Sequence, residues 1–168
     1  SCDRGLIEIV RCLLDYEGID INLEDSNHKT ALMVACDHDQ TEIIKMLLQR
    51  KHLQKTESRD GAEQLQNYLG KILRLVTKEN NLEMVKKLVE EENADPSKED
   101  TDGDGCNSLM IAADNGHVSV LKYFLSTPDK VNINAQNKHG FTSLYVACNK
   151  GLEEVVRTLM GSPQLDVN

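Results

Sequence analysis

Residues 116–125 of the chain read Gly-His-Val-Ser-Val-Leu-Lys-Tyr-Phe-Leu, and four other segments repeat this phrase. They begin at Gly5, Asp39, Asn80 and Gly151, so successive starts are 34, 41, 36 and 35 residues apart. A period in this range indicates stacked units, each too small to bury its own apolar face. Within each segment the apolar residues fall on one helical face, which predicts a helix that follows a tight turn.

A second phrase lies nine residues before three of these starts. Residues 30–36 read Thr-Ala-Leu-Met-Val-Ala-Cys, residues 107–113 read Asn-Ser-Leu-Met-Ile-Ala-Ala, and residues 142–148 read Thr-Ser-Leu-Tyr-Val-Ala-Cys. Together the two phrases resemble the ankyrin repeat, whose unit has about 33 residues and a Thr-Pro-Leu-His-x-Ala phrase. The resemblance implies an all-α fold, an ankyrin-repeat-like helical solenoid with a short β-turn finger before the first helix of each pair.

The repeat register predicts a single array over residues 1–168. Its members are expected to be a partial repeat over 1–24, a repeat over 25–56, a divergent repeat with an insertion over 57–99, and repeats over 100–136 and 137–168. The divergent repeat lacks a finger phrase, and its helical spacing predicts a longer first helix from Asp60 or Gly61 to Lys78. Gln49–Arg59 is expected to be a loop. Ser1–Gly5 is expected to end a first helix, in a fragment of a longer array.

The resemblance also assigns the fingers. They start at Asp25, Asp102 and Asn137, and Gly105 and Gly140 stand two residues before the second phrase. Ala or Ser replaces the family's Pro, and Met or Tyr replaces its first-helix His. The first helices are therefore expected to lack the family's Thr–His pairing.

Composition and charge limit the classes of partner. The net charge is −9, whereas a protein that binds the nucleic-acid backbone needs clustered Lys and Arg. No segment approaches the ~20 apolar residues of a membrane-spanning helix. Cys12, Cys36 and Cys148 fall at apolar places in the repeat and are expected to act as small hydrophobic residues. We therefore expect no nucleic acid, no membrane insertion and an intracellular, cytoplasmic location, with the nucleus left open.

Motifs for catalysis and metal binding are weak. Asp100–Gly105 resembles the opening of a calcium loop, but the place of its required bidentate Glu is Ile111. The five histidines form no HxxxH pair, and the chain has neither a GxSxG turn nor a phosphate-binding GxxxxGK[ST] loop. We expect no enzymatic activity, no metal and no cofactor.

In the family, finger tips and the inner faces of first helices form a concave recognition surface. By register, this candidate surface comprises Ser26, Asn27, Lys29, Asp37, His38, Lys78, Glu79, Asp104, Cys106, Asp114, Asn115, Lys138, His139, Phe141, Asn149 and Lys150. It is expected to be acidic in the middle and basic towards the C-terminal end. Phe141 has two interpretations, an exposed interface anchor or a cover for the neighbouring finger.

The sequence thus predicts a protein–protein interaction module, monomeric as a fragment, that binds a protein partner through this surface. The acidic run from Glu90 to Asp104 is compatible with a basic patch on the partner, and a solvated loop also explains it. Two alternatives remain open: a regulatory segment of a larger enzyme or channel that acts in cis, and a small-ligand sensor.

Overall fold

A computed structural model describes residues 2–16, 19–21, 23, 25–26, 29–38, 40–49, 59–100, 103–127 and 129–166. Over these residues the helices are α1 (Cys2–Leu14), α2 (Ala31–Asp37), α3 (Thr41–Gln49), α4 (Arg59–Lys78), α5 (Leu82–Glu90), α6 (Ser108–Asp114), α7 (Val118–Leu125), α8 (Ser143–Asn149) and α9 (Glu153–Met160). The described residues contain no β-strand, and the expected all-α repeat fold is confirmed. Two compact units, Ser1–Tyr68 (unit 1) and Leu69–Asn168 (unit 2), divide the chain.

Unit 2 is built from helix pairs that pack side by side. The pair α6 and α7 precedes the pair α8 and α9; α6 packs against α8, and α7 packs against α9. Leu109, Ala112 and Ala113 of α6 are fully buried, as is Phe124 of α7. Small alanine side chains allow close approach of neighbouring helices, because the distance between helix axes depends on the side chains at the contact. This packing explains how a chain without Trp forms a core.

Unit 1 repeats part of this plan, since α3 packs against both α1 and α2. Its buried side chains include Leu32 and Cys36 of α2 and Ile44 of α3. The expectation that Ser1–Gly5 ends a separate helix is wrong, because α1 runs unbroken from Cys2 to Leu14. The backbone instead keeps its helical hydrogen bonds through Gly5. A glycine inside a helix costs about 1 kcal/mol of stability relative to alanine.

The turns between the two helices of a pair have the expected left-handed backbone. Gly116 and Gly151 have φ of +73° and +68°, and Asn80 adopts +57° at the same place in the divergent repeat. Glycine adopts this conformation without steric cost, and asparagine tolerates it better than most residues. These turns let the second helix of each pair begin at a fixed place after the first.

Each short first helix begins with a side-chain cap. The Thr142 hydroxyl accepts a hydrogen bond from Tyr145 N, and Asn107 Oδ1 accepts one from Met110 N. Thr30 caps α2 in the same way. Such caps contribute about 1 kcal/mol each. The polar start of the first helix is therefore kept although the family's His is replaced.

The longer first helix of the divergent repeat is confirmed. It extends over Arg59–Lys78, 20 residues, and so begins one residue before the expected start at Asp60. Of the expected loop, Gln49 belongs to α3 and Arg59 to α4. Residues 50–58 lie outside the described part of the chain.

A polar contact joins α5 and α7. Tyr123 Oη donates to Glu90 Oε1 at 3.1 Å, and Lys86 Nζ lies 5.8 Å from the Tyr123 ring centroid. Burial of the phenol, with the hydrogen bond to the Glu90 carboxylate, raises the pKa of Tyr123 to about 12. The hydroxyl therefore stays protonated and keeps donating well above neutral pH.

Proline at residue 143 is expected to stabilise the protein. Ser143 is the first residue of α8, its hydroxyl is buried without a hydrogen-bond partner, and its amide has no acceptor among the described residues. Proline is favoured at this helix position, and Thr142 already has the extended backbone that precedes a proline. We expect Ser143→Pro to raise the free energy of unfolding by about 0.5–1 kcal/mol in urea denaturation.

The matched control is Ser108→Pro at the first position of α6. Ser108 N donates to Pro96 O at 3.2 Å, so proline there removes a hydrogen bond worth about 1 kcal/mol. Ser108→Pro should therefore gain nothing or lose stability. Equal stabilisation by both substitutions, or destabilisation by Ser143→Pro, would contradict this account of the helix starts.

Candidate functional site

The last finger of unit 2, residues 137–141, is organised by Asn137. Its backbone N donates to Phe141 O at 3.0 Å, and its Oδ1 accepts from both His139 N and Phe141 N at 3.0 Å. Its Nδ2 donates to Cys106 Sγ, in the preceding finger, at 3.6 Å. Gly140 completes the turn with φ +76°. The side chain of one residue thus fixes the main chain of the finger.

Three rings, which we call the aromatic strip, run from this finger onto the first turn of α8: His139, Phe141 and Tyr145. The Phe141 and Tyr145 rings are stacked, with centroids 4.2 Å apart and planes 17° apart. The His139 centroid is 5.8 Å from that of Phe141. Phe141 is 37 % exposed and Tyr145 is 49 % exposed. The strip therefore presents stacked aromatic surface to solvent.

The sequence expectation included His139 and Phe141 but missed Tyr145. Tyr145 stands at the place of the family's first-helix His, and that comparison indicates only a lost polar pairing. The available signal was its position four residues after Phe141. Phe141 immediately precedes the cap of α8 and Tyr145 lies in the first turn of that helix, so the two side chains are placed near one another. The same two places carry Cys106 and Met110 in the preceding repeat, so the strip belongs to one repeat.

Two carboxylates of the expected acidic zone contact basic side chains of the next repeat. Asp104 Oδ1 lies 3.2 Å from His139 Nε2, and Asp114 Oδ1 lies 2.7 Å from Lys150 Nζ. Lys150 Nζ also donates to Asp114 O at 3.1 Å. All four side chains are exposed enough for water to screen the interaction. The candidate carboxylates therefore already have partners within unit 2.

Other candidate residues of unit 2 have structural contacts apart from the strip. Lys138 Nζ donates to Gly103 O at 2.6 Å, which joins two fingers. Lys78 O lies 2.9 Å from His117 Nε2, and Asn115 Nδ2 donates to Ile111 O at 2.9 Å. Each contact gives a hydrogen-bond partner to a main-chain carbonyl group of a first helix. Two more candidates, Glu79 and Asn149, are exposed, and Cys106 is half-buried.

In unit 1 the candidate residues form a polar cluster. Lys29 Nζ donates to Asp37 Oδ2, and Lys29 N donates to Asp25 Oδ1 at 2.9 Å. The hydrogen bond to Asp37 raises the pKa of Lys29. Burial, followed by the negative charge of Asp37, raises the pKa of Tyr68. Lys29 occupies the place that Phe141 has in unit 2, so the equivalent finger position is ionic here.

Of the remaining unit 1 candidates, His38 lines an open groove together with Lys29. Ser26 and His38 are exposed, and Asn27 lies outside the described residues. The groove has a volume of about 760 Å³ and is also lined by apolar side chains that include Val10, Leu23 and Val34.

The expectation about cysteines is correct for Cys36 and wrong for Cys12 and Cys148. Cys36 is fully buried, whereas the other two are exposed. The place of Cys148 is occupied in the preceding repeat by Ala113, which is fully buried in the helix that packs on α8. Exposure thus depends on whether a neighbouring helix covers the position, which the pattern within one repeat does not reveal.

Neither a metal-binding cluster nor a membrane-spanning helix is found among the described residues. There, no group of three His, Cys, Asp or Glu side chains is arranged to hold a metal ion. Ile111, the place that would need a bidentate Glu in a calcium loop, belongs to α6. Within the same part of the chain, no helix combines the length and the apolar character needed to cross a bilayer.

Comparisons with known proteins agree with the repeated helix pairs. A family model described as ankyrin repeats, in three copies, matches residues 1–60 and 73–168. Rabankyrin-5 of Mus musculus and of Homo sapiens are each 28 % identical to the chain over 157 residues, which is 93 % of this chain and 12 % of each relative. Osteoclast-stimulating factor 1 of Danio rerio is 40 % identical over 62 residues, 37 % of this chain and 28 % of that protein.

Removing the Asn137 side chain should loosen the finger. Asn137→Ala leaves the amides of His139 and Phe141 without their acceptor, so we expect a loss of about 1–2 kcal/mol in the free energy of unfolding. Amide hydrogen exchange at both residues, followed by NMR, should accelerate.

The matched control is Asn149→Ala, because Asn149 is exposed and its side chain has no hydrogen bond among the described residues. Its effect should stay within about 0.5 kcal/mol. Unchanged exchange at His139 and Phe141 in Asn137→Ala would show that the finger is held by other contacts.

Proposed function

Because the chain belongs to the ankyrin-repeat family, whose repeats generally mediate protein–protein interaction, we propose that it binds a protein partner through the aromatic strip of unit 2. The observation that carries this proposal is the stacked, exposed pair of Phe141 and Tyr145 on a finger fixed by Asn137. Aromatic side chains dominate the binding energy of many interfaces.

Preorganisation supports the same proposal. Phe141 and Tyr145 already restrict one another by stacking, and hydrogen bonds fix the main chain of the finger. A partner therefore orders few additional side-chain torsions when it binds, and ordering costs about 0.5–1.5 kcal/mol for each flexible side chain at an interface. The strip is therefore suited to be an anchor for a partner.

We propose a non-enzymatic role and an intracellular location for the protein. Ankyrin-repeat relatives are typically non-enzymatic interaction modules, and we propose the same role here. Cys12, Cys36, Cys106 and Cys148 are free thiols, which supports an intracellular location, where thiols stay reduced. The chain spans 12 % of the length of Rabankyrin-5.

The affinity of peptides that bind the chain should depend on the aromatic strip. Short random peptides displayed on phage are selected on the immobilised chain, and their Kd is measured by fluorescence anisotropy. The test variant combines Phe141→Cys with Tyr145→Met, the residues that the preceding repeat carries at these places. We expect it to weaken binding at least about tenfold, ~1.4 kcal/mol, because the aromatic anchors are lost.

The matched control is a charge reversal on a second helix, Lys122→Glu in α7 or Arg157→Glu in α9, at exposed side chains. It should leave Kd within about twofold, and circular dichroism should show that all variants stay helical. The proposed site would be overturned if the peptides bound the variant with Phe141→Cys and Tyr145→Met with the same Kd as the parent chain. It would also be overturned if Arg157→Glu abolished their binding.

A further inference from the structure

One face of α2 lines the open groove of unit 1. Its residues stand at the spacing i, i+3, i+4 and i+7 of a single helical face, and we call them the α2 row: Ala31, Val34, Ala35 and His38. Ala31 and Val34 are exposed, so the row presents apolar surface to solvent. The groove belongs to unit 1, whereas the aromatic strip belongs to unit 2.

The equivalent row of α8 shows what covers such a face. It comprises Ser143, Val146, Ala147 and Lys150. Ser143 and Ala147 are buried, and Lys150 Nζ lies 2.7 Å from the Asp114 carboxylate of α6. The row of α8 therefore faces α6, the first helix that packs against α8. By the same register, the α2 row is a contact face for a first helix.

The adjacent helix α1 also exposes apolar side chains that a first helix would cover. Phe124 of α7 and Leu159 of α9 are fully buried, and each of these second helices packs against the first helix of its own pair. Leu13 holds their place in α1 and is 51 % exposed, and Ile9, one turn earlier, is 58 % exposed. A helix in the groove would pair with α1 as α6 pairs with α7, and would remove this apolar area from water.

The groove fits an unpaired helix of another protein better than a second copy of this chain. α8 is packed against α9, so in a copy that docked through α8, α9 would take the place that α1 already occupies. The helical backbone of residues 2–5 also lacks the left-handed turn at Gly116 that leads from α6 to α7. A segment adjoining α1 therefore does not enter the groove in the way that α6 joins α7.

The side of a first helix that faces the next repeat has a recognisable pattern. Met110 and Ala113 of α6 are buried, whereas Tyr145 and Cys148, at the same places in α8, are exposed. Leu109, beside Met110, is also fully buried. A helix in the groove thus needs apolar residues at i, i+1 and i+4, and a small residue at the last place permits close approach to α2.

We propose that unit 1 binds a short amphipathic helix of a partner protein in this groove. The helix lies against α1 and α2 as α6 lies against α7 and α8, which is a helix-in-groove mode of recognition. Its C-terminal end lies beside His38, because Lys150, at the same place in α8, donates to Asp114 O at the end of α6.

The test uses a fluorescein-labelled peptide with the sequence of residues 107–116. A hydrocarbon staple between the places of Ile111 and Asn115 keeps it helical; these places correspond to Val34 and His38, and so point away from α2 in the docked helix. Fluorescence anisotropy should show saturable binding to the intact chain. Val34→Asp should raise Kd at least about tenfold, ~1.4 kcal/mol, because the docked helix would bury an unpaired carboxylate.

Two controls accompany this variant. Ser26→Asp adds the same charge to an exposed finger residue of unit 1 that does not line the groove, and it should leave Kd within about twofold. A peptide with Ala113→Lys places a long charged side chain against α2 and should bind at least about tenfold more weakly. Circular dichroism should show that both protein variants stay helical.

Several outcomes would overturn the partner helix. They are an absence of saturable binding up to about 1 mM peptide, an unchanged Kd in Val34→Asp, and tight binding of the Ala113→Lys peptide. Loss of binding in the variant with Phe141→Cys and Tyr145→Met would place the peptide on unit 2 instead. Self-association of the chain in sedimentation, abolished by Val34→Asp, would assign the groove to a second copy. The phage-selected peptides that test the aromatic strip are unaffected by these results.

Discussion

The packing of one first helix against the next is the interaction on which the structure of unit 2 depends. α6 lies against α8, and Leu109, Ala112 and Ala113 of α6 are fully buried. Full burial of one leucine contributes about 1.5–3 kcal/mol, whereas each exposed contact between adjacent repeats contributes at most about 1 kcal/mol. Helix packing therefore sets the register, and contacts such as Asp114 with Lys150 form where the register brings them together.

This constraint leaves the residue before each helix cap free to vary. That place is Lys29 in unit 1, Cys106 in the first finger of unit 2 and Phe141 in the second. The first and last of these fingers close with the same hydrogen bond from their first residue, Asp25 N to Lys29 O and Asn137 N to Phe141 O, whereas Cys106 O accepts from Asp100 N. One scaffold thus presents an ionic, a small or an aromatic side chain, and the aromatic one pairs with Tyr145.

Features within one repeat were predictable from the sequence, and features between repeats were not. The period, the left-handed turns and the helix α4 follow from local spacing and backbone preference. The contact between Asp104 and His139 depends on side chains 35 residues apart, and no pattern within a single repeat encodes it. The exposure of Cys148 was misjudged for the same reason. Tyr145 was missed because its place was compared with the family's His and not with neighbouring Phe141.

The most direct test is an NMR titration of the isotopically labelled chain with a peptide selected on it. If the aromatic strip is the binding surface, amide and ring signals of His139, Phe141 and Tyr145 shift together and saturate with the same Kd. Signals from exposed second-helix residues, such as Lys122 and Arg157, stay unchanged. Saturable shifts confined to those second helices, with the strip unaffected, would contradict the account.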